Sequence, residues 1–201
     1  IPLGLPALFL GATPRTTAPP PRALFLSNPL RSLDWLLQVW CDLIRPRTPQ
    51  AELHIFAGAA IYGAVGAAKA QEMAAVLETA ASLAAQGVVL RGPLPKADLV
   101  REMTEARVFL YRGDPGETFC YAAAEAQAMG LPGVVEDIAC MAERVVDGQT
   151  GFVVKGQAAF ADAAHALLNN DHLWQAQHQA ALRLQGRWSW DDAAQAFENL
   201  I

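Results

Sequence analysis

Charge is scarce in this 201-residue chain: Asp, Glu, Lys and Arg together make up 17% against 53% hydrophobic residues, and the net charge is -5. No stretch gathers lysines and arginines into a stripe, so the electrostatic footprint of a nucleic-acid binder is missing and nucleic acid is set aside as a partner. Cysteine is nearly absent as well. Cys41, Cys120 and Cys140 are odd in number, far apart and set in apolar runs without C-x-x-C spacing, so they read as reduced core thiols rather than a disulfide framework. No apolar run approaches the ~18 residues that span a bilayer. Residues 5–10 lack the basic leader and cleavage pattern of a signal peptide. There is no D-x-D, no G-K-[ST] closing a glycine-rich loop, and no repeat at a fixed period. The first residue is Ile1 rather than methionine, which reads as a fragment or a processed chain.

What is present suffices for one full core. Residues 1–22 are expected to be irregular, a linker or edge segment, because the prolines at 14, 19, 20 and 21 lack the backbone donor that helices and central strands need. From Ala23 onward, short apolar runs alternate with longer helical patterns. Strands are expected at 23–27, 52–56, 88–91, 108–112, 133–136 and 151–154. Helices are expected at 32–45, 70–86, 96–105, 118–130, 139–146, 157–169, 171–184 and 190–201. The first helix is the best marked: Leu33, Leu36, Leu37, Trp40 and Leu43 share one face, and Pro46 ends it. This order makes residues 23–201 one α/β domain, a doubly wound Rossmann-like parallel sheet with helices on both faces. Such sheets bind ligands beyond the carboxyl ends of their strands, where loops feed helix N-termini. That singles out residues 28–32, 57–69, 92–96 and 113–119. Within the second of these, the glycine-rich run 58–66 reads as a flexible loop near the pocket.

The last of these loops carries Glu117, in a Gly-Asp-Pro-Gly setting, and Glu125 follows eight positions later. At a helical rise of 1.5 Å per residue, eight positions separate the carboxylates by about 12 Å along the axis, near the length of a nucleotide-sugar's diphosphate bridge. First-turn amides at Phe119, Cys120 and Tyr121 would face an anion lying between them. Each carboxylate can accept two hydrogen bonds from a vicinal diol. The alanines at 122, 123, 124, 126 and 128 keep this helix thin. On spacing alone a plainer reading stands ahead of this one: Glu117 offsets the helix dipole and Glu125 is a solvated acid on the helix face. His54 reads as a packed strand residue. His165, His172 and His178 lie on outer helices without metal-ligand spacing, and Asp191–Asp192 reads as dipole compensation. No metal ligand is assigned.

Ordered motifs change the balance. Glu117 and Glu125 form an E-x7-E signature that runs on through residues 128–135, Ala-Met-Gly-Leu-Pro-Gly-Val-Val, and resembles the "EAMAxGxPVV" run of the group 1 retaining glycosyltransferases. These form the fourth family of GT-B enzymes, which includes relatives of glycogen and sucrose synthases. Residues 31–37 resemble the family's "KGLDxLL", 51–58 its "AELxIxG", 89–92 its "VxFxG", 143–154 its "EIVxDGxTGxLV", and 188–190 its closing "FSW". The resemblance covers residues 23–200.

It implies the C-terminal, nucleotide-sugar-binding half of a GT-B enzyme that transfers a hexose from a UDP-sugar or GDP-mannose to an acceptor hydroxyl. It also implies that no metal or other cofactor takes part. Glu125 would bind the ribose and Glu117 the hydroxyls of the transferred sugar. The amides of Phe119, Cys120 and Tyr121, with Thr118 beside them, would contact sugar and diphosphate. Arg31 would neutralise the departing diphosphate, with Asn28 in the same loop. Backbone near residues 92–96, including Gly92 and Leu94, would meet the base. Two positions depart from the pattern. Arg31 replaces a lysine, and Leu26 stands where a second basic residue is usual. The acceptor site and a catalytic histidine would belong to an N-terminal domain that this chain lacks. Weak donor binding without turnover is therefore expected of the chain alone. The whole enzyme is expected in the cytoplasm, at the inner face of the membrane where that domain reaches it. A non-catalytic nucleotide-sugar-binding module and a GT-B epimerase are the alternatives.

Overall fold

Six short segments rich in Val, Leu, Phe and Ile pair side by side: β1 (Arg22–Phe25), β2 (Glu52–Ile55), β3 (Val88–Leu90), β4 (Val108–Tyr111), β5 (Gly133–Glu136) and β6 (Gly151–Val154). All neighbours are parallel, and the order is β3-β2-β1-β4-β5-β6. This is the expected doubly wound sheet. A computed structural model describes residues 1–200; Ile201, expected at the end of the last helix, lies outside the described residues. The helices are α1 (Leu33–Val39), α2 (Gly63–Ala68), α3 (Ala70–Ser82), α4 (Lys96–Thr104), α5 (Tyr121–Ala128), α6 (Met141–Arg144), α7 (Gln157–Asn169), α8 (Asp171–Gln185) and α9 (Trp190–Glu198).

Four expected helices change at their ends, and one expected loop is helical. The first helix is regular only to Val39 and continues as a π turn over Trp40–Ile44 and a 3-10 turn over Arg45–Arg47. Pro46 offers no N–H to the carbonyl of Asp42 and its ring crowds it, so the coil widens before it stops. The glycine-rich run 58–66, expected as a flexible loop, forms a 3-10 turn, Ala59–Tyr62, and the start of α2. Gly66 is needed there for close packing, since a Cβ would stand 2.0 Å from the carbonyl oxygen of Ala59. The helices expected over 70–86 and 139–146 are shorter, with a 3-10 turn at Ala84–Gln86 and with α6 confined to four residues. The helix expected from 118 begins at Tyr121, because Cys120 adopts a left-handed φ of 57° that helical hydrogen bonding cannot continue through.

Residues 1–21 are irregular apart from a 3-10 turn at Ala7–Phe9, while Arg22, expected in this segment, opens β1; the segment is nonetheless packed, with Leu5 and Phe9 buried in the core. The amide of Leu5 donates to the carbonyl of Trp188 at 3.0 Å, and the Trp188 indole donates to the carbonyl of Pro2 at 3.1 Å. A Cβ on Gly4 would meet Ser189 and Trp190 backbone at 2.4 Å, so residues 2–5 lie hard against the start of α9. The buried Arg107 binds three separate segments. It donates to the carbonyls of Leu167 and Pro19 and to the carboxylate of Asp171. Helix α5 is buried from Ala123 to Ala128. Its alanines let it pass between the sheet and α8, and Gln127 donates from its side chain to the carbonyls of Leu131 and Thr150.

Candidate active site

The strand order reverses between β1 and β4, so the loops leaving these two strands open side by side at the carboxyl edge of the sheet. The loop after β1 is shaped by Asn28, whose side-chain oxygen accepts from the amide of Leu30 at 2.9 Å and whose carbonyl accepts from Arg31 at 2.9 Å. Ser32, with φ 62°, donates its hydroxyl to the carbonyl of Gly113 and joins the two loops. After β4, the Asp114 carboxylate accepts from the Gly116 amide and its carbonyl accepts from Glu117, a tight polar turn that presents Glu117.

Between the loops lies a cleft of about 390 Å³, lined by Arg31, Lys96, Glu117, the 118–122 stretch and Glu125, with Leu3, Leu26, Ile61 and Tyr62 along its walls. Two ion pairs divide it. Arg31 donates to Glu117 at 2.5 Å, and the buried Tyr111 hydroxyl donates to the same oxygen at 2.9 Å. Burial pushes the Tyr111 phenol far above its usual range, so it stays a donor. Burial opposes the Arg31 charge, but Glu117 outweighs it and raises the guanidinium pKa. At the other end, Lys96 reaches both oxygens of Glu125, at 2.6 and 2.5 Å. Glu125 is only 3% exposed, so it is not the solvated helix-face acid of the plainer reading. Between the pairs, among the described residues, the backbone N–H groups of Phe119, Cys120, Tyr121 and Ala122 have no protein acceptor. They are free for an anion at the N-terminus of α5. Burial pushes the Cys120 thiol up to about 12; it is no thiolate nucleophile.

Burial also raises the Glu125 carboxyl pKa, with Lys96 pulling the other way. A raised folded-state pKa means that stability is full while the group is protonated and falls as the pH climbs through it. Glu125→Gln is therefore expected to melt like the parent near pH 4 and above it near pH 7, as read by thermal denaturation at the two pH values. A parent that is the more stable at pH 7 would contradict this.

Arg31, Glu117, Thr118, Phe119, Cys120, Tyr121 and Glu125 thus share one cleft. Asn28, Gly92 and Leu94 are not among its lining residues: the Asn28 oxygen is spent inside its loop, Gly92 turns the chain with φ 71°, and Leu94 packs on the core. Because Glu117 stands outside α5, helical rise does not set its distance from Glu125. Lys96, Tyr111, Tyr62 and Leu3 were not singled out from sequence. For Lys96 a signal existed: a lysine at the first position of a helix opposes the dipole. For Leu3 there was none. His54 and His178 are buried packing residues, the latter stacked on Trp174 and held between Gly130 and Arg15.

A family model described as "Glycosyl transferases group 1" matches residues 20–170. A D-inositol 3-phosphate glycosyltransferase of Nocardia farcinica is 32% identical over 146 residues, 71% of this chain and 31% of its own length. The fold is also that of solved structures at low identity. Sucrose-phosphate synthase from Thermosynechococcus elongatus superposes with a TM-score of 0.79 at 17% identity, over 100% of this chain and 51% of that one. The Anabaena protein HepE, solved in complex with UDP and glucose, superposes with a TM-score of 0.70 at 15% identity, over 90% and 48%. The chain spans about a third of the length of the Nocardia relative and about half that of these two structures.

Proposed function

This chain belongs to the group 1 glycosyl transferases, and on that premise we propose that it is the donor-binding, C-terminal half of a retaining glycosyltransferase that moves a hexose from a nucleotide-diphosphate sugar to an acceptor hydroxyl. One observation carries the reading. A run of free amides at a helix N-terminus lies between two carboxylates, one buried and one clamped by Arg31 and Tyr111, at the switch point of the sheet. A diphosphate would sit on the amides, its ribose diol on Glu125 and the sugar hydroxyls on Glu117. The UDP bound by HepE supports a uridine diphosphate sugar as the donor, with GDP-mannose the alternative.

In the reaction the bond between the anomeric carbon and the diphosphate oxygen breaks while the acceptor oxygen bonds to that carbon on the same face and gives its proton to the departing diphosphate oxygen. Negative charge grows on the leaving diphosphate. Arg31 and the preorganised amides stabilise it without reorganising, and Glu117 holds the sugar in place. The scheme draws its positive charge from the protein and uses no metal ion. The acceptor and a catalytic histidine come from an N-terminal domain, so this chain by itself binds donor without turning it over. The complete enzyme works in the cytoplasm, at the membrane's inner face.

Calorimetry of the chain with UDP, GDP and ADP tests the site. One of the three should bind, and Glu125→Ala should weaken it about 10- to 100-fold, the worth of hydrogen bonds to a charged group. Equal affinity in parent and variant would overturn the assignment.

A further inference from the structure

Lys96 opens α4, where a positive side chain opposes the helix dipole. Its ammonium instead crosses to α5, bonds both carboxylate oxygens of Glu125, and lies 5.4 Å from the centre of the buried Phe9 ring. The two partners differ in freedom. The Lys96 side chain is 54% exposed, whereas that of Glu125 is 3% exposed. The carboxylate is fixed and the cation can turn toward a ligand.

The charged side chains lining the cleft are Arg31 and Lys96 against Glu117 and Glu125. Leu26 lines the same cleft and is neutral. Taking away Lys96 leaves one cation against two carboxylates. A nucleotide diphosphate entering that cleft would meet like charge in a site with low-dielectric walls.

We propose that Lys96 is a donor-binding residue, the second cation of the diphosphate site, shared between Glu125 and the nucleotide. The proposal rests on the donor-site reading above. It makes the β3–α4 connection part of the phosphate site and not only of the base site. It also gives the Lys96–Glu125 pair a second duty, holding the cation in the cleft until a ligand arrives.

The test measures UDP by calorimetry at low and high salt, and uridine, its uncharged counterpart, by ligand-observed NMR. The proteins are the parent chain, Lys96→Met, Lys96→Arg and the pair Glu125→Gln and Lys96→Met/Glu125→Gln. Lys96→Met should weaken UDP about tenfold and flatten its salt dependence while leaving uridine within about twofold. Lys96→Arg should stay within about threefold of the parent for UDP. If Lys96→Met fails to fold because it strands a buried carboxylate, the same tenfold loss of UDP should separate the two proteins that carry Glu125→Gln, where that carboxylate is gone. UDP affinity unchanged in Lys96→Met, or UDP and uridine lost by one factor, would overturn the proposal while the donor site stands. A parent chain that binds none of UDP, GDP and ADP would overturn both.

Discussion

Gly151→Ala is expected to lower the thermal midpoint by about 10 °C. Gly151 opens β6 directly opposite Gly133 of β5, and a Cβ there would stand 2.0 Å from the Gly133 carbonyl oxygen and 2.7 Å from its nitrogen. Both atoms are backbone in an interior strand. Relief requires β5 and β6 to part, not a side chain to turn. Overpacking of this kind costs about 3 kcal/mol, and at roughly 2–4 °C per kcal/mol for a chain of this size the midpoint shift follows. Gly148→Ala is the control. Gly148 also has a positive φ, 70°, but nothing lies within 4 Å of its Cβ position, so only the left-handed conformation is penalised, at about 1 kcal/mol. Melting curves of the two variants that coincide would show that the close approach of β5 and β6 does not hold this edge.

Arg107→Met should cost about 3 kcal/mol in urea denaturation. Methionine fills much of the volume but donates nothing, so the buried carbonyls of Leu167 and Pro19 lose their partner and Asp171 loses its cation. The Arg107 side chain is 7% exposed and that of Asp171 72% exposed. The ion pair is therefore the smaller part, and Asp171→Asn should cost well under 1 kcal/mol. Similar losses in the two variants would place the stabilisation in the ion pair and not in the carbonyl contacts. Because one of the three contacts reaches residue 19, the irregular N-terminal segment should loosen first in Arg107→Met, seen as faster amide exchange around Leu5 and Phe9.

The sheet was legible because each strand is a short apolar run flanked by a helical pattern, and period alone separates the two. Strand positions agreed to within about two residues. The ends of helices were less legible, and for identifiable reasons. Pro46 announces a stop but not the π turn that precedes it. A glycine-rich run such as 58–66 looks the same whether its glycines give freedom or, like Gly66, let backbones touch. Nothing in the sequence marks Cys120 as a non-glycine residue with φ 57°, so a helix expected from residue 118 begins instead at Tyr121, and its axis is shared by Glu125 but not by Glu117. Which residues face the cleft from the β4–α5 region was readable, since E-x7-E and strand-end position point the same way. What faces them was not. Tyr111 lies in an apolar strand, Lys96 is separated from Glu125 by 29 positions, and Leu3 belongs to a segment whose packing depends on residues 188–190.

That last contact gives the cleft an unusual border. Leu3 is held neither by a sheet ladder nor by a helix but by a clasp in which Pro2, Gly4 and Leu5 rest on Trp188, Ser189 and Trp190. The clasp ties the position of Leu3, and with it one wall of the cleft, to the start of α9. One border of the cleft is thereby set by residues far along the chain that do not line it.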